Sequence, residues 1–319
     1  MPIDTYFEAE TLDDLLQVVL PKLLVGQDYI STSRGNITEL FGATLVLHNP
    51  RARLSRSESK GKIFSALGEL LWYLSGENKL SFIKYYVGEH YSNESEDGIT
   101  VRSGYGERLF HYNNTDQIAN IIDLLKEKPS SRRAVIQLFD ASDLVRHYVS
   151  IPCTCTLQFV IRDNLLNVLV NMRSNDAYLG LPHDVFAFTM LQEIIARSIG
   201  IDVGIYQHCA GSLHLYEMHR PKAQTYLGEG WQNPIKMNPM PPGNPWEAIK
   251  AIQSIEQLIK EKKLTGLDEV NLGSYWKDIC TLLLIYRYWK DKDYKACEKL
   301  KGTLNDRTYE MFVDDKFPV

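Results

Sequence analysis

The sequence predicts an α+β fold: a mixed sheet flanked by helices, followed by a helical C-terminal segment. Three observations predict it. Segments with apolar residues at helical spacing interleave with β-branched, alternating segments as far as residue 216, a proline-rich stretch interrupts the pattern, and beyond it only helical periodicity remains. With 319 residues, 44% of them hydrophobic, the chain has enough apolar surface for one large core and an appended part.

Thr11 precedes Leu12, Leu15, Leu16, Val19, Leu20, Leu23 and Leu24, an N-cap followed by an i, i+3, i+4, i+7 stripe, which predicts an opening amphipathic helix. Residues 41–48 read as a strand, and 63–74 as a second helix that buries Ile63, Leu67, Leu70, Leu71 and Leu74 while carrying Glu69. Residues 85–110 are polar and tyrosine-bearing, with acids at Glu94, Glu96 and Asp97, and read as a surface excursion around a pocket. A helix over 115–128 closes before Pro129. Strands follow over 133–139, 156–161 and 165–171, the last two joined by a turn at Asp163-Asn164. A buried helix over 183–199 ends at Gly200, and 203–216 returns as a strand.

Five prolines between Trp231 and Trp246 mark an extended linker or an ordered surface strap. Beyond it, 246–262, 274–289 and 294–304 read as helices. The predicted organisation is therefore a catalytic domain over 1–230, a linker or strap over 231–246, and a helical extension over 247–319.

Composition excludes several classes. A formal net charge of −5 argues against a broad nucleic-acid surface, whereas a mononucleotide needs only a local basic pocket. The longest apolar runs, such as Leu282-Leu283-Leu284-Ile285, fall far short of the roughly 20 residues that span a bilayer. Met1-Pro2-Ile3-Asp4 shows no basic region leading into an apolar stretch, so the expected location is cytoplasmic. Five cysteines form no paired framework, and the lone Cys153-x-Cys155 pair is a weak zinc signature, so no metal is expected.

The chemistry concentrates in three short stretches. Cys153 follows Ile151-Pro152; Arg173-Ser174-Asn175-Asp176 comes twenty residues later; Leu179-Gly180-Leu181-Pro182-His183-Asp184 comes next. A thiol needs a cation or base nearby to become thiolate, and an arginine fork beside a hydroxyl suits a phosphate. Glu69 stands out on an otherwise apolar helix face, where a carboxylate is costly unless it is hydrogen-bonded or catalytic. His214 and Tyr216, two apart on a predicted strand, point to one face and suit a sugar hydroxyl.

These stretches, with Glu69-Leu70-Leu71-Trp72-Tyr73-Leu74-Ser75-Gly76, Ser131-Arg132-Arg133 and Gly211-Ser212-Leu213-His214-Leu215-Tyr216, resemble the catalytic core of the thymidylate synthase family over roughly residues 30 to 230. Members of that family add a one-carbon unit to C5 of a pyrimidine nucleotide. The resemblance implies 5,10-methylenetetrahydrofolate as cosubstrate and Cys153 as the nucleophile that attacks C6. It also implies Arg173, Ser174, Arg132, Arg133 and Arg34 as phosphate ligands, with Arg132 and Arg133 supplied by the other subunit of a homodimer. Glu69 is expected to handle protons around N3 and N4 of the base, Tyr105 to act where the C5 proton is removed, Asp176 to contact the pterin, and Asn175 to help line the pocket.

One departure shapes the expected substrate. Where thymidylate synthases carry an asparagine that reads uracil, this chain has Asp184. Cytosine presents a donating N4 amine and an accepting N3, which a carboxyl fits either ionised, with N3 protonated, or neutral, donating to N3. A wrong base leaves buried polar groups unpaired, a discrimination worth roughly 10⁴-fold or more. The resemblance is thus closest in type to the (deoxy)cytidylate 5-hydroxymethylases. Residues 77–115 contain no tryptophan where the family shelters its exocyclic methylene intermediate, which favours water addition and a hydroxymethyl product. The rival expectations are a cytidylate methylase, a uridylate enzyme tolerant of aspartate, and a catalytically silent nucleotide-binding homologue that regulates or scaffolds. Thr154 departs from the family too, standing where many members have histidine.

Overall fold

The computed structural model describes residues 4–26, 29–55 and 62–316. Met1–Ile3, part of the segment predicted to lack a targeting signal, and residues 317–319 of the C-terminal segment lie outside it. The chain runs through strand β1 (Tyr6–Ala9), helix α1 (Leu12–Val25), β2 (Ile30–Thr32), β3 (Gly35–Leu47), α2 (Ile63–Leu74), α3 (Leu80–Val87), α4 (Tyr105–Phe110) and α5 (Gln117–Glu127). It continues through β4 (Val135–Gln137), β5 (Thr154–Arg162), β6 (Leu165–Asp176), α6 (Gly180–Ile199), β7 (Asp202–Tyr216) and α7 (Arg220–Gly228). The helices α8 (Trp246–Lys260), α9 (Ser274–Lys290), α10 (Tyr294–Lys301) and α11 (Glu310–Asp314) close it.

The predicted mixed sheet is present, in the order β1-β3-β7-β6-β5-β4 with β2 paired to β3. β1 runs parallel to β3 and β6 parallel to β7, each pair joined through a helix as parallel neighbours require, while the other pairings are antiparallel. Residues of α1, α5 and α6 join the buried strand residues in one apolar cluster. Local signals explain the boundaries. The Thr11 hydroxyl accepts from Asp14 N at 3.0 Å and starts α1, Gly200 at φ 90° stops α6, and Asp163 and Asn164, at φ 51° and 60°, turn β5 into β6.

One expectation needs correction. Residues 85–110, predicted as a surface excursion, include the end of α3, a 3₁₀ turn over Gly88–Glu94 and α4, and they bury Tyr86 and Tyr105. The polar residues that gave the stretch its surface character flank tyrosines that point inward, so its average composition hid the buried members.

The proline-rich stretch carries no helix or strand between residues 231 and 245, yet it is pinned to the core. Met237 N donates to Arg51 O at 2.9 Å, Met240 N to Glu193 Oε1 at 2.9 Å, and Arg197 Nε to Met240 O at 2.8 Å. Residues from α8 to α11 then share a second apolar cluster with α2 and α6, so the C-terminal helices brace the helices that carry Glu69 and Asp184.

The strap closes over a buried ion network. Glu193 and Arg53 both have fully buried side chains; Arg51 joins them through Glu193 and bonds Asp202 as well. Burial alone would raise the Glu193 carboxyl, but Arg53 and Arg51 outweigh it and hold it below the usual carboxylate range. Its stabilisation is therefore present at neutral pH and lost as pH falls through its folded value. Replacing Glu193 by Gln is expected to cost about 3 kcal/mol in urea denaturation at pH 7, because it leaves buried guanidinium charge unpaired. A loss below about 1 kcal/mol would contradict that role.

Candidate active site

The sheet topology gathers one end of three strands. β6 and β7 are parallel, so Ser174 lies opposite Ser212 and Asp176 opposite His214 near their C-terminal ends. β5 is antiparallel to β6, so its start, Thr154, lies opposite Met172. Cys153 just before β5, the Arg173–Asp176 run of β6, His214 and Tyr216 on β7, and the first turns of α6 with Asp184 therefore meet at that end.

Arg173 holds the cysteine segment by backbone and side chain together. Its N–H donates to Cys153 O at 2.9 Å, its Nε to Pro152 O at 3.0 Å, one Nη2 contact reaches Ile151 O at 3.2 Å, and the same nitrogen lies 3.7 Å from Cys153 Sγ. Burial nevertheless pushes the Cys153 thiol up, against the pull of the Arg173 charge. The thiol accordingly rests protonated at neutral pH despite the cation beside it.

Asp184 and Asn175 form a buried pair. Asn175 Nδ2 donates to Asp184 Oδ2 at 2.7 Å, while Asn175 Oδ1 is buried without a hydrogen-bond donor. Gly180 makes the approach feasible, since a Cβ there would sit 3.1 Å from Asn175 Nδ2. Burial pushes the Asp184 carboxyl well above the usual carboxylate range, the Glu69 charge adds to the shift, and the Asn175 amide opposes both.

Glu69 is satisfied by two phenols: Tyr73 donates to its Oε1 at 2.8 Å and Tyr91 at 3.0 Å. The Tyr105 ring packs against Tyr73 with centroids 4.9 Å apart and against Phe188 at 6.0 Å, and its hydroxyl oxygen accepts from Thr154 Oγ1 at 2.8 Å and Thr154 N at 3.1 Å. Asp176 Oδ1 accepts from Tyr178 N at 2.8 Å and Leu179 N at 3.2 Å, and Oδ2 lies 3.6 Å from His219. Burial would raise the Asp176 carboxyl, but His219 and these N–H groups hold it below the usual range. Burial also lowers His214, with Asp176 pulling the other way, and the Tyr216 ring meets His214 edge-on at 5.0 Å.

Not every predicted residue joins this cluster. Arg34 does reach its rim: it is exposed and paired with Glu94 at 3.0 Å, and its charge acts on Cys153, His214 and Tyr216. Arg132 and Arg133 are exposed just before the edge strand β4, whose Val135 lies opposite Gln158. They therefore lie roughly 20 Å along the sheet from Cys153 of the same chain. Conversely, Tyr73, Tyr91 and Thr154 contact the cluster without having been predicted as site residues. Tyr73 was findable, since it stands four residues from Glu69 on one helix. Tyr91 was not, because only the fold of 85–110 brings it there.

Among the described residues, no group of three or more His, Cys, Asp or Glu side chains is arranged to hold a metal ion, and no helix is long and apolar enough to cross a membrane. A small cavity of about 20 Å³ lies beside Pro182 and His183, walled by Leu12, Ile63 and Phe312. Arg53, which also lines it, has its Nε and Nη1 buried without partners.

The raised Asp184 carboxyl has a thermodynamic consequence. Its stabilising contribution is complete below the unfolded value near pH 4 and is lost as pH rises through the folded value. Asp184→Asn keeps an acceptor for Asn175 and removes the titration, so its melting temperature is expected to gain on wild type as pH rises above about 4 toward the folded value. A difference that stays constant over that range would contradict a buried, shifted carboxyl.

A deoxyuridylate hydroxymethyltransferase of Pseudomonas phage M6 is 35% identical over 178 residues, covering 54% of this chain and 50% of that protein. The chain thus spans about half the length of the curated relative it matches. A family model described as thymidylate synthase matches residues 56–241, more than half of the chain and the stretch that carries Glu69, Tyr105, Cys153, Arg173, Asp184 and His214. The chain belongs to the thymidylate synthase family, a family of one-carbon transferases.

Proposed function

We propose that the chain hydroxymethylates C5 of a cytidylate, dCMP or CMP, with 5,10-methylenetetrahydrofolate as cosubstrate and a Cys153–C6 covalent adduct as intermediate. The observation that carries this reading is the buried Asn175–Asp184 pair. Asn175 has directed its amide N–H at Asp184 Oδ2, so its own Oδ1 awaits a donor, while a neutral Asp184 keeps an O–H to give and an oxygen to accept. The N4 amine of cytosine supplies two N–H donors, one for Asp184 and one for Asn175 Oδ1, and its N3 accepts the Asp184 O–H, whereas the O4 of uracil brings no donor to Asn175 Oδ1.

Within this reading Cys153 adds to C6 and Arg173, beside its sulfur, stabilises the thiolate while reaching toward phosphate with Ser174 and Arg34. Binding a dianion has to release Arg34 from Glu94. Glu69, oriented by Tyr73 and Tyr91, handles protons at N3 and N4 through water; His214 and Tyr216 take the sugar hydroxyl. The folate supplies the one-carbon unit when bound. Asp176 is the residue for the pterin.

Arg132 and Arg133 are too far from Cys153 of their own chain, which supports a homodimer in which they enter the partner's site. The sheet face away from the helices supports the same arrangement, with Ile205 42% and Phe41 80% exposed. We also take residues 1–230 as the catalytic domain and 247–319 as an extension that stiffens it through the second apolar cluster.

A second reading, hydroxymethylation of deoxyuridylate, is favoured by the name of the phage relative. A neutral Asp184 serves it by donating to O4 and accepting from N3–H, but Asn175 Oδ1 then stays without a donor. Mass analysis after incubation with the folate and dCMP, CMP or dUMP separates the readings. Gain of CH2O on a cytidylate is the expected result; gain of CH2 with dihydrofolate means methylation, and binding without product means a silent homologue.

Asp184→Asn is expected to move the cytosine-to-uracil preference in kcat/KM by roughly 100-fold or more toward uracil. An unchanged preference would remove Asp184 as the base reader. Cys153→Ala is expected to abolish turnover while retaining nucleotide binding by calorimetry; retained turnover would require another nucleophile.

A further inference from the structure

Thr154 occupies an irregular position in its strand. The pairing of β5 with β6 shifts register between Thr154 and Thr156, and the buried positions run 154, 157, 159 instead of alternating strictly. This bulge turns Thr154 toward the helix-covered face, on which Leu157 and Phe159 also lie. The residue directly after the cysteine is consequently fully buried, and both of its donors, hydroxyl and backbone N–H, converge on one atom, the Tyr105 oxygen. Tyr105 has little room to move, being 6% exposed and packed between Tyr73 and Phe188.

Two donors on one phenolic oxygen have a definite consequence. A neutral phenol held this way has no acceptor capacity left, whereas a phenolate keeps one open direction. The arrangement is that of an oxyanion hole built for a side chain. Resting on the nucleotide reading above, we propose that Thr154 is the positioning residue for proton transfer at C5, fixing the Tyr105 oxygen and stabilising its negative charge when Tyr105 acts as the base. Burial pushes the Tyr105 hydroxyl well up, and the two Thr154 hydrogen bonds oppose that rise.

The step is testable with nucleotide alone. In D2O the Cys153 thiolate forms a bond to C6, and C5 takes a deuteron from solvent. Tyr105, which has released its own proton to solvent, removes the original C5 proton. The C5–H electron pair restores the enamine, which expels the thiolate, so hydrogen is exchanged for deuterium without oxidation or reduction.

Exchange at C5 of dCMP, CMP and dUMP, followed by proton NMR across pH without folate, reads the step directly. Thr154→Val is expected to slow exchange roughly 100-fold, the effect of losing one oxyanion donor, and to move the rate profile to higher pH because the phenolate forms less readily. Thr154→Ser keeps the hydroxyl and is expected to stay within about threefold of wild type with an unmoved profile. A Val variant with the wild-type rate and profile, or a Ser variant as slow as Val, would overturn the assignment. If the wild-type chain hydroxymethylates a nucleotide yet exchanges none, the role of Thr154 fails while the function stands. If it does neither, both fail.

Discussion

A carboxyl group buried beside an asparagine amide is the constraint around which the site is organised. Asp184 sits in the first turns of α6 with Asn175 Nδ2 at 2.7 Å, and burial makes its charged form expensive. Such a group needs close support, and the surroundings supply it. Gly180 leaves room for the pair, β6 delivers Asn175 from the strand that ends just before α6, and the second apolar cluster holds α6 against α2 and the C-terminal helices.

The other acids near the site are handled in contrasting ways. Glu69 receives two phenolic hydrogen bonds, and Asp176 receives two backbone N–H groups and faces His219. Asp184 is pushed toward neutrality, and its neighbour Asn175 is left with an unused acceptor. Environments that drive neighbouring carboxyls apart are how a site assigns distinct roles to chemically identical groups. The cysteine shows the same opposition: its half-buried thiol is pushed up by burial against the pull of the Arg173 charge.

Much of the fold was legible because its signals are local. The Thr11 cap, the stripe of α1, Gly200 and the Asp163-Asn164 turn each act within a few residues and mark the ends they were read from, while β6 runs on to Asp176 instead of ending at 171 and α6 begins at Gly180 instead of 183. Residues 85–110 were misjudged because their burial is set by packing against α2, which composition does not reveal. In the site, Cys153, Arg173, Asn175 and Asp184 stand in ordered motifs and do converge. Tyr91 comes from a distant segment, and Thr154 was noticed only as a departure, since a one-residue bulge decides which way it faces. The separation of Arg132 and Arg133 from Cys153 likewise emerges only from strand order, because sequence distance says nothing about position along a sheet.

The claim on which the account turns is that Asp184 meets the amino-bearing edge of a pyrimidine while Cys153 faces its C6. A crystal structure of the chain with dCMP bound tests this most directly. The account predicts the Asp184 carboxyl within roughly 3 Å of both N3 and N4, with the Cys153 sulfur over C6. A bound nucleotide whose N3 and N4 face solvent or other side chains, with Asp184 still bonded only to Asn175, would contradict it.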